Sequence, residues 1–135
     1  MEISHIEHIG IAVNSLDEAI PFYENILGLK CYKREEIPDQ QVKTAFFMVG
    51  QTKIELLEPA SPDSPVAKFI EKRGVGIHHI AYATKDVNAA LKEAEAKGVR
   101  LIDQQARGGA EGLQIAFLHP KTTGSVLTEL CEHPE

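Results

Sequence analysis

His8-Ile9-Gly10-Ile11-Ala12-Val13, set beside His79-Ile80-Ala81-Tyr82-Ala83-Thr84, decides how this chain is organised. The His, the Ile after it and the Ala at the fifth position coincide, 71 positions apart. The same spacing carries Ala19 onto Ala90 and Ala45-Phe46 onto Ala116-Phe117. Towards the end of each half Glu55-Leu56 answers Glu129-Leu130, now 74 positions apart. Each match alone is weak. Their colinearity along nearly the whole chain is the mark of a duplicated unit.

Each half reads as a strand, a helix and then three strands. Residues 3–13 alternate, with Glu7, Ile9, Ile11 and Val13 on one face and His8, Gly10 and Ala12 on the other. Ser15 followed by Glu18 forms a capping box and opens a helix that ends near Gly28, with Pro21 in its early turns. β-rich runs follow at 29–34, 41–49 and 52–58. A linker at 59–65 leads through Ser64-Pro65 into a short helix ending at Lys72. The second half has a strand at 76–84, a helix from the Asp86 cap to Lys97 with Gly98 as its stop, and strands near 100–103, 113–118 and 125–131. Strands that run together after a single helix make the class α+β. One domain over 1–135 is expected, with module 1 at about 1–60, a linker helix at about 61–73 and module 2 at about 74–135.

Composition narrows the function classes. A chain of 135 residues forms one core without disulfides or structural metals, and 43% apolar with 25% charged residues is too balanced for disorder. The net charge of −6 makes nucleic acid and anionic membranes poor partners. No apolar run has transmembrane length and no cationic, apolar leader follows Met1, and the cysteine usage makes a reduced, cytoplasmic chain the expectation. Cys31 and Cys131 form no C-x-x-C, which fits small core fillers in a reduced compartment and excludes a secreted disulfide scaffold.

Strand alternation puts His8 on the face of Gly10 and Ala12, and His79 with Ile77, Ala81 and Ala83. The bulkier Ile9, Ile11, Val13, Ile80 and Tyr82 should pack under the helices, leaving the imidazoles on a concave face cleared by small neighbours. Glu55, between Ile54 and Leu56, and Glu129, between Thr128 and Leu130, sit where an unpaired charge is costly. Two imidazoles and two carboxylates, one of each per half, suit a divalent-metal site. An octahedral ion would keep two positions for water or substrate. A lone strand His is more often a satisfied core or edge residue, and that reading is taken for His5, His78, His119 and His133. Recurrence of the His–Glu pair lifts His8, Glu55, His79 and Glu129 above it. Ser64 and Ser125 lack a nucleophile elbow. Gly108-Gly109-Ala110-Glu111-Gly112 lacks the Lys of a phosphate loop and reads as a mobile loop or lid. Lys121 reads as a solvated turn residue, and the run 92–97 as a solvated helix face.

On these residues the chain resembles the vicinal oxygen chelate superfamily, in which paired βαβββ modules build a cupped mixed sheet around a metal. Within it the chain is similar to the methylmalonyl-CoA epimerase family. The resemblance runs through Ile54-Glu55-Leu56-Leu57-Glu58-Pro59, while the opening His8 to Val13 and the close at His119-Pro120-Lys121 and Leu127-Thr128-Glu129-Leu130 are generic to the superfamily. More specific to the epimerases is Asp63-Ser64-Pro65-Val66-Ala67-Lys68-Phe69-Ile70 joined to Gly76-Ile77-His78-His79-Ile80. The resemblance implies metal ligands at His8, Glu55, His79 and Glu129, with cobalt the ion most associated with the family and manganese, zinc or nickel as alternatives. It also implies a homodimer acting on an acyl-CoA of propionate metabolism, moving its α-proton through an enediolate. Glu129 is the first candidate base, and Glu55, its pseudo-twofold counterpart, the second. A further glutamate that some members carry has no counterpart in Gln41-Val42-Lys43-Thr44-Ala45. The alternatives are a glyoxalase I-type lactoylglutathione lyase, an extradiol dioxygenase, and a non-enzymatic small-molecule-binding protein of the same fold. The intact quartet argues against the last.

Overall fold

The duplication is realised as two runs of one element order, in a computed structural model that describes residues 1–134. The first run is β1 (His5–Ala12), α1 (Leu16–Pro21), β2 (Cys31–Ile37), β3 (Val42–Val49) and β4 (Thr52–Pro59), and α2 (Pro65–Arg73) follows it. The second is β5 (Gly76–Ala83), α3 (Val87–Ala96), β6 (Arg107–Gly108), β7 (Gln114–Leu118) and β8 (Thr128–Glu132). By internal contacts the chain divides into two compact units, residues 8–78 and residues 1–7 with 79 onward.

In the unit of residues 8–78 the strand order is β2-β3-β4-β1, with β1 parallel to β4 and the other pairs antiparallel. Leu16 and Ile20 of α1 are buried against Ala45, Phe47 and Leu56, and Ile11, Val13 and Ile54 join them. The bulky alternate residues of β1 therefore do lie under the helix. Ala12, Val42 and Leu57 form a second cluster with Val66, Phe69 and Ile70 of α2.

The other unit repeats the pattern as β5-β8-β7-β6, with β5 parallel to β8. Val87, Ala90 and Leu91 of α3 pack on Ala116, Leu118, Leu130 and Tyr82. Ala81, Ala83, Ile115, Phe117 and Cys131 form a separate cluster. Within this unit Ser4 N–H donates to the Ala83 carbonyl at 3.0 Å, and the buried Glu7 carboxylate meets His133 Nε2 at 3.0 Å. Parallel and antiparallel pairs mixed in this way, with three α-helices among the described residues, are the α+β class expected.

The repeat extends to individual hydrogen bonds. Ser15 caps α1 and Asp86 caps α3 through their side-chain oxygens. A second carboxylate reinforces each start: Glu58 Oε1 accepts from Leu16 N–H at 2.7 Å, and Glu132 Oε1 accepts from Val87 N–H at 2.8 Å. Val13 N–H donates to the Leu57 carbonyl, and Thr84 N–H to that of Cys131, both at 2.9 Å. Acidic groups at a helix start satisfy free N–H groups and complement the positive end of the dipole. The spacing grows from 71 to 74 positions between Phe46/Phe117 and Glu55/Glu129, so the three extra residues lie in the β7–β8 connection.

Three boundaries differ from the sequence expectation. The helix expected over 15–28 is α only to Pro21, and Phe22–Ile26 then winds as a π-helical turn closed by Leu27 N–H donating to the Phe22 carbonyl at 3.2 Å. Pro21 has no N–H to continue the regular ladder, and the chain widens behind it. The strand expected near 100–103 is reduced to a bridge between Leu101 and Leu118. Asp103 explains this, because its Oδ2 accepts from Phe117 N–H at 2.8 Å and occupies the donor a ladder would use. The strand expected over 125–131 starts only at Thr128, since Ser125 is left-handed (φ 71°) and Thr123 Oγ1 donates to the Val126 carbonyl. In the glycine loop, Gly109 lies so close to Ile115 that a Cβ would sit 2.8 Å from its Cγ2.

Candidate metal centre

Strand register brings each expected His to its Glu. In β4, Glu55 lies beside Gly10 of β1 and Phe46 of β3. His8 stands two residues before Gly10 on the same face. His8 Nε2 is 3.5 Å from Glu55 Oε1. In the other unit Glu129 lies beside Ala81 of β5 and Phe117 of β7. His79 Nε2 is 3.4 Å from Glu129 Oε1. The two pairs use the same ring nitrogen and nearly the same distance.

All four side chains are buried, His8, Glu55, His79 and Glu129 keeping 5%, 4%, 4% and 3% of their surface exposed. Carboxylates at such depth need compensating positive charge. The His–Glu separations exceed the ~2.7–2.9 Å of a charge-assisted hydrogen bond. They lie at or just beyond the upper end of the roughly 3.0–3.4 Å expected between two adjacent ligands that each lie ~2.1 Å from one ion. Two imidazole nitrogens with two carboxylate oxygens are the donor set of a borderline divalent cation. The residues fit such an ion.

The surroundings hold the donors in place. Phe117 presents its ring edge-on to His79 with centroids 5.5 Å apart, and the Arg107 guanidinium lies 5.7 Å over the same phenyl. One charged residue of this face has no warning in the motifs: Lys53 is only 8% exposed and stands in register with His8, two residues before Glu55. The signal was available in the alternation Lys53, Glu55, Leu57, which sets the lysine on the Glu55 side of β4.

The residues read as bland have structural roles. His78 lies edge-on to Phe69 at 4.8 Å, and burial pulls its imidazole down to about 4, so it is a neutral, half-buried ring. His119 Nδ1 accepts from Lys121 N–H at 3.0 Å and closes a 3₁₀ turn. His5 Nδ1 hydrogen-bonds to Ser4 Oγ at 2.8 Å. Ser64 is a fully buried N-cap, accepting from Ala67 N–H at 2.9 Å. No helix among the described residues is long and apolar enough to cross a membrane.

Comparison with known proteins adds a family. Residues 7–117 match the model of the Glyoxalase/Bleomycin resistance protein/Dioxygenase superfamily. An uncharacterized protein of Bacillus subtilis, YqjC, is 46% identical over 96% of this chain and 93% of its own length. The human mitochondrial methylmalonyl-CoA epimerase is 39% identical, over 95% of this chain and 73% of its own. Among solved structures, a Streptomyces coelicolor methylmalonyl-CoA epimerase variant in complex with 2-nitronate-propionyl-CoA superposes with a TM-score of 0.94 at 39% identity, covering 97% of this chain and 95% of that one.

Proposed function

The chain belongs to the Glyoxalase/Bleomycin resistance protein/Dioxygenase superfamily, and from that membership we propose that it is a metal-dependent epimerase interconverting (2R)- and (2S)-methylmalonyl-CoA. The observation that carries this reading is the repeated buried His–Glu pair, at 3.5 and 3.4 Å. Near-full-length likeness to epimerases supports the substrate. His8, Glu55, His79 and Glu129 would together hold one divalent ion, all four being buried side chains with metal-binding donor atoms. Cobalt as that ion, a homodimer and a cytoplasmic location follow from the family resemblance and the cysteine usage, and belong to the same proposal.

The chemistry asks for removal of a proton between a thioester and a carboxylate, and its return on the opposite face. A free carboxylate has a pKa of about 4.3; a gap of about ten units to the carbon acid would add roughly 14 kcal/mol to the barrier. A divalent ion held by these residues would supply the compensating term, a positive charge near the thioester oxygen as negative charge develops there. Glu129 takes the proton from one face of the α-carbon. Glu55 serves the other face, as the duplication places an equivalent carboxylate in each unit. Burial of both carboxylates keeps competing water away from the planar intermediate.

Incubating the purified protein with methylmalonyl-CoA in deuterated water should replace the α-hydrogen, followed by NMR, and a chelator should stop the exchange. Full exchange after exhaustive metal removal would overturn the proposal.

A further inference from the structure

The donor set is twofold, but the substrate proposed above is not. Its α-carbon stands between a neutral thioester carbonyl and a negatively charged carboxylate. Two equivalent His–Glu pairs offer both arms the same reception. Something outside the quartet must tell them apart.

Lys53 breaks the symmetry. It precedes Glu55 by two residues, and the residue that precedes Glu129 by two is Leu127. Leu127 is packed against the cluster of Ala81, Phe117 and Cys131. One half of the repeat thus carries an ammonium where the other carries an apolar side chain. Register and alternation place Lys53 on the face of His8 and Glu55, between His8 on β1 and Met48 on β3. At 8% exposure it is a buried lysine on the face that carries Glu55.

Charge balance points the same way. Two carboxylates and a divalent ion sum to zero, so an incoming carboxylate makes the centre negative and proton removal makes it more so. A cation beside Glu55 offsets the first of these charges before the second develops. Building on the proposed epimerase reading, we propose that the Lys53 ammonium binds the free carboxylate of the substrate's acyl group, so that Lys53 both selects malonyl-type thioesters and fixes which arm lies in the Glu55 half.

Equilibrium binding tests this directly. Methylmalonyl-CoA and propionyl-CoA differ by that carboxylate, so the ratio of their dissociation constants isolates it. In calorimetric titration the unmodified protein should prefer methylmalonyl-CoA. Lys53→Met should weaken methylmalonyl-CoA by about 10- to 100-fold, the range of a hydrogen bond between charged groups, and leave propionyl-CoA within about threefold. Lys53→Gln serves the same readout should the methionine variant fail to fold. Equal weakening of both thioesters, or discrimination that survives the substitution, would overturn the Lys53 assignment alone. Equal binding of the two by the unmodified protein would overturn the epimerase reading with it.

Discussion

Glu129 is asked for two things, a ligand oxygen and a base. Glu129→Gln separates them, because an amide oxygen still ligates an ion but cannot accept a proton at neutral pH. The variant should keep an ion at reduced affinity while solvent exchange of the substrate α-hydrogen falls at least about 100-fold. Exchange close to that of the unmodified protein would show that another group carries the proton. At this level much was legible. Alternation put His8 with Gly10 and Ala12, and it took the register of β1 on β4 to bring that imidazole to Glu55; His79 was separable from His78 because only one of two adjacent strand residues can face a given side. Lys53 was not legible as a buried charge. A lysine in an alternating strand reads as solvated until the depth of the whole face is known.

The helices and strands show where local pattern runs out. Ser15 and Asp86 were readable as caps from residue type. Glu58 and Glu132 were not, since they arrive from strands 42 and 45 positions away. Glu58→Ala and Glu132→Ala should each lower unfolding stability by about 1 kcal/mol in urea titrations, and the double variant should show the sum, because the two contacts share no partner. A strongly unequal pair of effects would contradict the equivalence of the two helix starts. The lost strand near 100–103 has a related cause. Alternation sees Leu101 and Ile102 as strand residues, but it cannot see that the Asp103 carboxylate takes the Phe117 N–H. Side-chain-to-backbone bonds over such separations decide boundaries and leave no periodic trace.

For the molecule as a whole, a modest set of colinear matches pointed to a duplicated unit, and duplication repeats register as well as residues. Gly10 beside Glu55 and Ala81 beside Glu129 are the same position in two copies. What duplication cannot predict is departure from itself, and Lys53 against Leu127 is such a departure. The central claim is that the two His–Glu pairs serve a single cation. Calorimetric titration of the chelator-stripped protein with cobalt(II) tests it most directly. One ion per chain is predicted, with His8→Ala and His79→Ala each weakening that same ion at least tenfold. Two ions per chain, each lost with only one of the two histidines, would contradict it.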